Sequence, residues 1–244
     1  MPFTTITIDF WQTLYDNANG AERNAQRKTT LLEAIGEEHQ SPDLALFDKA
    51  YAGLWEYFDQ HWLGGQRTPT SEEMVAEILR QLQFSLSEER TERVVKVFEE
   101  GILDHSPGLL PGVREGLQHL ASFAPLALIS DTAFSPGSVL RRLMERDNIA
   151  QYFQEFVFSD ETGVAKPHPE AFLRALEPLG SLPETALHIG DIERTDIRGA
   201  KGVGMRAILY RSSEHLAKYA EEETSADAVM KDWGEVGEAI QKVL

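Results

Sequence analysis

The sequence contains no cysteine among its 244 residues, and this absence excludes disulfide bonds, thiolate metal sites and cysteine nucleophiles. No stretch approaches the roughly 18 uncharged apolar residues that a membrane-spanning helix requires. The amino-terminal segment MPFTTITIDF has neither a basic region nor a long apolar run, so we expect no secretory signal there. Together these absences predict a cytoplasmic protein with no membrane partner.

Positive charge is also scarce in this chain. Lysine and arginine number 23 against 40 aspartate and glutamate residues, which gives a formal net charge of −17. Such a surface repels nucleic acid and anionic lipid, so we expect no nucleic-acid partner. For any enzyme of anionic substrates, the field at the site must be made positive by a metal ion or by a few chosen cations.

Five short apolar runs predict the strands of a parallel sheet, because strands buried on both faces are nearly continuous in apolar residues. Helical patterns lie between the later runs, and this alternation is typical of a doubly wound α/β fold. Four of the runs end in aspartate. Ligands of such sheets bind beyond the carboxyl ends of the strands, so these aspartates are expected to converge. The predicted strands are Phe3–Asp9, Leu126–Asp131, Glu155–Asp160, Ala186–Asp191 and Arg206–Tyr210, and the predicted helices are Val139–Glu145, Pro169–Glu177 and Asp196–Lys201.

The segment of residues 17–105 breaks the alternation and predicts a helical bundle inserted after the first strand. We expect a helical cap of residues 17–105 and a core of residues 1–16 and 106–244, whose last part, Ala226–Leu244, closes with a short strand and a helix. Ser71 and Ser87, each followed by two glutamates, predict helix starts. The amphipathic stretches of the cap are Ala21–Ile35, Pro42–Trp62, Ser71–Phe84 and Ser87–Leu103.

Four motifs follow one another at the predicted strand ends. They are IDFWQTLYD at Ile8–Asp16, LISDT at Leu128–Thr132, AKPHPEAF at Ala165–Phe172 and HIGDIERTDIRGA at His188–Ala200. On these motifs the chain resembles the haloacid dehalogenase-like (HAD) hydrolases, and the resemblance covers essentially the whole chain. It implies a Rossmann-like core, a helical cap, Mg²⁺ as cofactor and a small anionic substrate. We expect a monomer or a homodimer.

The resemblance also implies roles for particular residues. Asp9 leads the first motif as the nucleophile, and Lys166 of the third motif holds Asp9 and the substrate anion together. A carboxylate nucleophile divides a difficult displacement into two easier steps, and hard oxygen donors suit Mg²⁺. The implied catalytic residues are Asp9 and Lys166, the implied substrate-binding residues are Thr13, Ser130, Asp131 and Lys166, and the implied metal ligands are Asp9, the backbone carbonyl of Trp11, Asp191 and Asp196.

The first motif departs from the family pattern at two positions. The family's phosphatases usually carry a second aspartate two residues after the nucleophile, which protonates the leaving group and later activates water. Here that position is Trp11, and Gln12 replaces the usual glycine. An indole exchanges no proton near neutral pH, and loss of a general acid–base group typically costs about 10²–10⁴ in rate. The residues of the motifs therefore support attack by Asp9 better than they support departure of the leaving group.

Of the functions compatible with these residues, we favour a Mg²⁺-dependent phosphatase of small phosphorylated metabolites. Without an acid at Trp11, it would be slow on alkyl phosphates and faster on substrates with good leaving groups. A proton donor from the cap would remove this limit, and Glu56, Tyr57 and His61 are the candidates.

Alternative functions remain open. A 2-haloacid dehalogenase-like enzyme needs no proton for a departing halide, and Arg23 and Arg27 lie on the first predicted cap helix. The metal-binding GDxxxxD pattern and the lack of arginine in Glu37–Pro42 argue against it. A non-catalytic binding or regulatory protein would explain Trp11, but keeping buried charges together without use is costly. A phosphonate-cleaving variant would need a Schiff-base lysine, for which Lys49 is the candidate.

Overall fold

The computed structural model of the chain describes residues 3–39, 42–211 and 223–244. Its centre is a single sheet of parallel strands, which confirms the predicted doubly wound α/β fold. The strands are β1 Thr5–Ile8, β2 Leu126–Ser130, β3 Phe153–Phe158, β4 Ala186–Gly190, β5 Arg206–Tyr210 and β6 Ala228–Met230. They lie in the order β3–β2–β1–β4–β5–β6, so the direction of winding reverses between β1 and β4. This reversal is the place where ligands bind in open α/β sheets.

The predicted strand ends agree with the structure at three of the four aspartates. Asp9, Asp131 and Asp191 each lie one residue beyond their strand. The predicted strand Glu155–Asp160 is wrong in position, because β3 begins at Phe153 and ends at Phe158. Asp160 lies instead in a short helix, α8 Ser159–Thr162. Its carboxylate accepts the backbone N–H of Gly137 at 3.1 Å and so satisfies a free amide at the start of the helix that begins at Gly137.

Each face of the sheet packs against its own layer of helices. Leu126 and Leu128 of β2 belong to one hydrophobic cluster, and Ala127 and Ile129 belong to another, as alternation along a strand requires. The first layer contains α6 Val113–Ala121, α7 Gly137–Arg146 and α11 Val236–Val243, and the second contains α9 Pro169–Leu176 and α10 Arg198–Gly202. The predicted helix Asp196–Lys201 begins earlier, since a π-helical turn at Glu193–Ile197 leads into α10.

Five helices lie between β1 and α6 and bury a hydrophobic cluster of their own, which extends to Phe134 and Ala165 on loops that follow β2 and β3. The predicted division into a cap of residues 17–105 and a core of residues 1–16 and 106–244 stays a prediction. No helix in the described ranges is long and apolar enough to cross a membrane. The five helices are α1 Gly20–Glu38, α2 Leu44–Ala52, α3 Leu54–Gly65, α4 Ser71–Leu82 and α5 Glu88–Asp104.

Two local features of this segment differ from the predictions, although α4 begins at Ser71 and α5 begins after Ser87, as the two serines predict. The stretch Pro42–Trp62 is not one helix, because the chain breaks at Gly53, a residue with low helix propensity, between α2 and α3. The cap of α4 is Thr70 rather than Ser71. The Thr70 hydroxyl accepts the N–H of Glu73 at 3.2 Å, and the Glu73 carboxylate accepts the N–H of Thr70 at 2.9 Å, which together form a capping box.

The close approach of Gly116 to Trp233 generates the first prediction. The Trp233 indole donates to the Thr13 carbonyl at 2.8 Å, and a Cβ on Gly116 would lie 2.4 Å from the Trp233 ring. We expect Gly116→Ala to lower the free energy of unfolding by about 1–3 kcal/mol through overpacking, measured by urea denaturation. Gly202→Ala is the matched control, since a Cβ there meets nothing within 4 Å. Equal stability of the two variants would contradict the prediction.

Candidate active site

Asp9 lies directly after β1 with its carboxylate buried and both oxygens hydrogen-bonded. The Thr13 hydroxyl donates to Oδ2 at 3.1 Å, and the Lys166 ammonium group donates to Oδ1. The backbone N–H of Asp9 donates to Ile189 of β4 at 2.9 Å, which ties the residue to the neighbouring strand. The carboxylate is therefore held in one orientation at the carboxyl end of the sheet. The sequence predicts that Lys166 meets Asp9 there, whereas it predicts Thr13 as a substrate-binding residue, and that role of Thr13 stays a prediction.

Lys166 connects three elements of the core through its ammonium group. Besides Asp9, Nζ donates to Asp196 Oδ1 at 2.8 Å and to the Ile129 carbonyl of β2 at 3.2 Å, which uses all three of its donors. The side chain is 2% exposed. Burial lowers the pKa of Lys166, but the carboxylates of Asp196 and Asp9 raise it by more, so its pKa lies above the ordinary value. The lysine is a permanent cation.

Asp196 is placed by the core rather than exposed to an incoming ligand. Its Oδ1 accepts a hydrogen bond from the Lys166 ammonium group and lies 3.1 Å from Nε2 of His188. Its Oδ2 accepts the Ile192 N–H at 3.0 Å. Burial raises the pKa of Asp196, but the Lys166 charge and the His188 hydrogen bond lower it by more, so its pKa lies below the ordinary value. These contacts favour a role in positioning Lys166, and direct metal ligation by Asp196 stays a prediction.

Gly190 and His188, at the end of β4, are both adjacent to the Asp196 carboxylate. A Cβ on Gly190 would lie 2.4 Å from the Asp196 carboxyl carbon, so only glycine leaves room for that carboxylate. His188 is fully buried, and the Thr7 hydroxyl lies 2.8 Å from its Nδ1. Burial lowers the pKa of His188, which keeps the ring neutral. Sequence reasoning missed His188, although its place two residues before the GDxxxxD pattern on an apolar strand is a usable signal.

Asp131 bridges the core and helix α3. Its Oδ1 accepts the backbone N–H of Lys166 at 2.9 Å, and its Oδ2 accepts the indole N–H of Trp62 at 2.8 Å. Burial raises the pKa of Asp131 to about 6, against the lowering effect of Lys166. An ionised carboxylate only accepts hydrogen bonds, so direct contact of Asp131 with a substrate anion stays a prediction. Trp62 was missed by sequence reasoning, since its spacing in the helix marks it only as an apolar residue.

Two buried polar atoms near the nucleophile have no hydrogen-bond partner among the described residues. They are the hydroxyl oxygen of Ser130, at the end of β2, and the side-chain carbonyl oxygen of Gln12. A buried polar group without a partner costs about 1–3 kcal/mol. Gln12 also adopts a left-handed backbone conformation with φ 57°, which explains why glycine is the usual residue there. The Ser130 hydroxyl fits its predicted role as a donor to a bound oxyanion.

Among the residues that the structure describes, no acid has a recorded contact that would replace the one missing at Trp11. Trp11 is half-buried, packs against the main core cluster and meets Phe10 edge to face at 5.0 Å. Of the three proposed donors on α3, Glu56 is exposed, and the other two contact each other, with a His61 ring nitrogen 2.8 Å from the Tyr57 carbonyl. None of the three has a described contact with Asp9, so each stays a prediction without structural support.

The cations considered for alternative reactions make their described contacts with groups other than Asp9. Arg23 donates to the carbonyls of Ala18 at 2.6 Å and His105 at 2.7 Å, so it joins the two connections between the helical segment and the rest of the chain. Arg27 donates to the Phe98 carbonyl at 3.1 Å within the helices. Lys49 is exposed on α2. Their described contacts do not include Asp9.

The acids around Asp9 suit a divalent cation. Burial raises the pKa of Asp9 to about 7, although Lys166 opposes this and nearby Asp196 adds to it. The pKa of Asp191 is raised well above its ordinary value by burial and then by the charge of Asp9. Two buried carboxylates that repel each other are hard oxygen donors, and Mg²⁺ needs only one or two of these from a protein. Asp9 and Asp191 therefore fit Mg²⁺.

The arrangement is not a complete protein cage for a metal ion. In the described ranges, no group of three or more His, Cys, Asp or Glu side chains is arranged to hold a metal. The Lys166 ammonium group pairs with both Asp9 and Asp196. Any metal at this site would take its remaining ligands from water, substrate or backbone, as Mg²⁺ commonly does.

The fold and this set of strand-end residues define a known class of α/β hydrolase. The sequence profile of the haloacid dehalogenase-like hydrolases matches residues 3–204, and the chain belongs to that family. It is 32% identical over 134 residues to a glyceraldehyde 3-phosphate phosphatase of Pyrococcus furiosus, a match that covers 54% of this chain and 55% of the relative. The chain thus spans little more than half the length of that relative.

Two further matches extend over more of the chain. A phosphoglycolate phosphatase 1 of Pseudomonas aeruginosa is 28% identical over 200 residues, covering 79% of this chain and 70% of the relative. Among solved structures, a 2-haloacid dehalogenase from Pseudomonas syringae pv. Tomato DC3000 superposes with a TM-score of 0.68 at 22% identity, covering 99% of this chain and 100% of the other. At that identity the likeness shows the shared fold alone.

The repulsion between Asp9 and Asp191 generates the second prediction. Without a divalent cation, we expect Asp191→Asn to unfold at a higher temperature than the wild type, because one buried charge is removed. A gain of about 1 kcal/mol corresponds to about 2–4 °C for a chain of this size. Mg²⁺ should raise the melting temperature of the wild type but not that of Asp191→Asn.

The exposed acid Glu184 supplies the control for this experiment. Glu184→Gln should melt like the wild type with EDTA and with Mg²⁺, in the same thermal denaturation assay. If Asp191→Asn melted lower than the wild type in EDTA and still responded to Mg²⁺, the assignment of Asp191 to a metal site would be wrong.

Proposed function

We propose that the chain is a phosphoric monoester hydrolase that acts on small phosphorylated metabolites with Asp9 as nucleophile and Mg²⁺ as cofactor. The observation that carries the proposal is the Asp9 carboxylate, fixed on one oxygen by Lys166 and on the other by Thr13. Family membership and the names of the sequence relatives support the reaction class. The identity of the metabolite is left to experiment, and a cytoplasmic location and a monomer or homodimer stay predictions.

The first chemical step forms a bond between an Asp9 carboxylate oxygen and the phosphorus atom while the bond from phosphorus to the substrate oxygen breaks. Lys166 and Thr13 keep the carboxylate aimed, and the Ser130 hydroxyl donates to a phosphoryl oxygen. Bound Mg²⁺, held by Asp9, Asp191 and the Trp11 carbonyl, would neutralise charge on the phosphoryl oxygens. A water molecule then attacks the phosphorus of the aspartyl-phosphate, which releases phosphate and restores Asp9.

Departure of the leaving group limits this reaction. Trp11 neither donates nor accepts a proton near neutral pH, so the leaving oxygen must take its proton from water. A phenolate with a low pKa departs without help, whereas an alkoxide does not. The proposal therefore favours substrates with good leaving groups.

We propose that the helical segment acts as the cap over this site. Helix α3 supports this role, because its end contacts two loops that carry site residues. The Gln66 carbonyl accepts the N–H of Ala165 at 2.7 Å, and the Leu63 carbonyl accepts Arg194 at 3.2 Å. Such a cover excludes water from the reacting groups and selects substrates by shape.

The alternative functions receive no specific support from the described contacts. Arg23 donates to carbonyls at the two connections of the helical segment. Arg27 donates to the Phe98 carbonyl and lies 4.2 Å from the centroid of the Phe134 ring, and the described contacts of neither arginine include Asp9. An exposed Lys49 does not suit a Schiff base at a closed site. A non-catalytic role is tested by whether the wild type hydrolyses p-nitrophenyl phosphate with Mg²⁺.

Removal of the nucleophile is the third prediction. Asp9→Asn keeps the shape of the side chain but lacks its charge. We expect Mg²⁺-dependent hydrolysis of p-nitrophenyl phosphate to fall by at least about a thousandfold, since the covalent route is lost. Glu184→Gln, which alters an exposed acid, should keep the wild-type rate. Undiminished phosphatase turnover by Asp9→Asn would overturn the mechanism, and halide release from 2-chloropropionate without metal would favour the dehalogenase.

Restoration of the missing acid is the fourth prediction. We expect Trp11→Asp to raise kcat for an alkyl phosphate, by up to about 10²-fold, and to change the rate with p-nitrophenyl phosphate far less. Trp11→Asn is the matched control, because it has the same size without an exchangeable acid. Circular dichroism checks the fold, since Trp11 packs against the core. Equal changes on both substrates, or equal behaviour of Asp and Asn, would refute the explanation.

A further inference from the structure

We infer that Trp62 and Asp131 are positioning residues that make the placement of Lys166 depend on the docking of helix α3. We call this set of contacts the α3 clamp, formed by Trp62, Gln66, Asp131 and the consecutive residues Ala165 and Lys166. The inference rests on the proposed function, in which Lys166 aligns Asp9 for attack. It goes beyond that function, because it assigns a role to an indole on the helical segment.

The first contact of the α3 clamp runs through the Asp131 carboxylate. One oxygen accepts the Trp62 indole N–H at 2.8 Å and the other accepts the Lys166 backbone N–H at 2.9 Å. Asp131 is thus a bridge between a helix and a loop, with one hydrogen bond to each. A buried carboxylate needs such donors, because burial without them is costly.

The second contact joins the same helix end to the preceding residue of the same loop. The Ala165 N–H donates to the Gln66 carbonyl at 2.7 Å. Gln66 is the carboxyl-terminal cap of α3 and has φ 51°, a left-handed conformation that turns the chain at this point. Two consecutive backbone amides of the loop are therefore tied to α3, one directly and one through Asp131.

The position of the Lys166 ammonium group follows from these ties. Its backbone is held from the side of α3, and its Nζ reaches Asp9, Asp196 and the Ile129 carbonyl on the other side. Asp131 also attracts the Lys166 charge. If the indole no longer satisfies Asp131, that carboxylate competes with Asp9 for the ammonium group. Loss of the indole N–H should therefore misplace Lys166 without removing any group that touches the substrate.

The decisive comparison uses two tryptophans of the same helix. Trp62→Phe keeps an aromatic ring and removes the N–H, whereas Trp55→Phe makes the same change at a residue that is 43% exposed and contacts Phe58 and Phe134. With p-nitrophenyl phosphate and Mg²⁺, we expect Trp62→Phe to lower kcat about ten- to hundredfold, the effect of one hydrogen bond to a charged group, with KM changed less than about twofold. Trp55→Phe should leave both constants unchanged.

Asp131→Asn provides the partner variant. An asparagine cannot accept both N–H groups in the same orientation, because one of its atoms is itself a donor. We expect its kcat to fall like that of Trp62→Phe, and we expect the double variant to lose no more than either single variant, as for residues of one network. Unchanged kcat in Trp62→Phe, or additive losses in the double variant, would overturn the inference.

Hydrogen exchange separates this inference from the proposed function. The Ala165 and Lys166 amides should exchange faster in Trp62→Phe than in Trp55→Phe and the wild type, measured by mass spectrometry or NMR on the folded proteins. If the wild type hydrolyses no phosphate ester, the proposed function fails while this measurement still tests the α3 clamp. Equal exchange rates in all three proteins would refute the α3 clamp, whatever the activity.

Discussion

The ion pairs and the hydrogen bond of the buried Lys166 ammonium group are the interactions on which the rest of the site depends. They join Asp9 after β1, the Ile129 carbonyl on β2 and Asp196 after β4, so one side chain connects three neighbouring strands at their carboxyl ends. Breaking a buried pair of this kind costs about 3–5 kcal/mol, because it leaves an uncompensated charge. The lysine thus stabilises the same arrangement that orients the Asp9 carboxylate.

The concentration of acids at this site reflects the composition of the whole chain. With a formal charge of −17, the protein cannot attract an anion by its general field. It instead gathers buried carboxylates, among them Asp9 and Asp191. Burial raises the pKa of both, the charge of Asp196 adds to the rise for Asp9, and the charge of Asp9 adds to the rise for Asp191. In the function that we propose, a bound divalent cation would offset this negative charge and leave a positive site for a phosphoryl group. In the same proposal, Trp11 leaves the attack by Asp9 intact but removes the usual proton donor, so Lys166 and a bound metal ion would carry the charge stabilisation.

Much of the fold could be predicted because parallel strands buried on both faces are almost entirely apolar. The runs that begin at Leu126, Ala186 and Arg206 start where their strands start. Errors arose where a single local contact decides the outcome. Thr70 rather than Ser71 caps α4 because of its bonds with Glu73, and Asp160 leaves the strand to meet the amide of Gly137. Alternative local contacts of this kind are close in free energy, and the periodicity of the sequence does not show which of them forms.

By itself the sequence determined the fold class and the identity of Asp9, Lys166 and Thr13 as one group, because motifs that follow parallel strands must meet at one edge of the sheet. Only the tertiary structure decided how those groups are held. The Trp62–Asp131 hydrogen bond joins residues 69 positions apart, and the Lys166–Asp9 pair joins residues 157 positions apart. Contacts between residues so far apart in the sequence depend on how the helices pack against the sheet. No local pattern in the chain encodes which indole reaches which carboxylate.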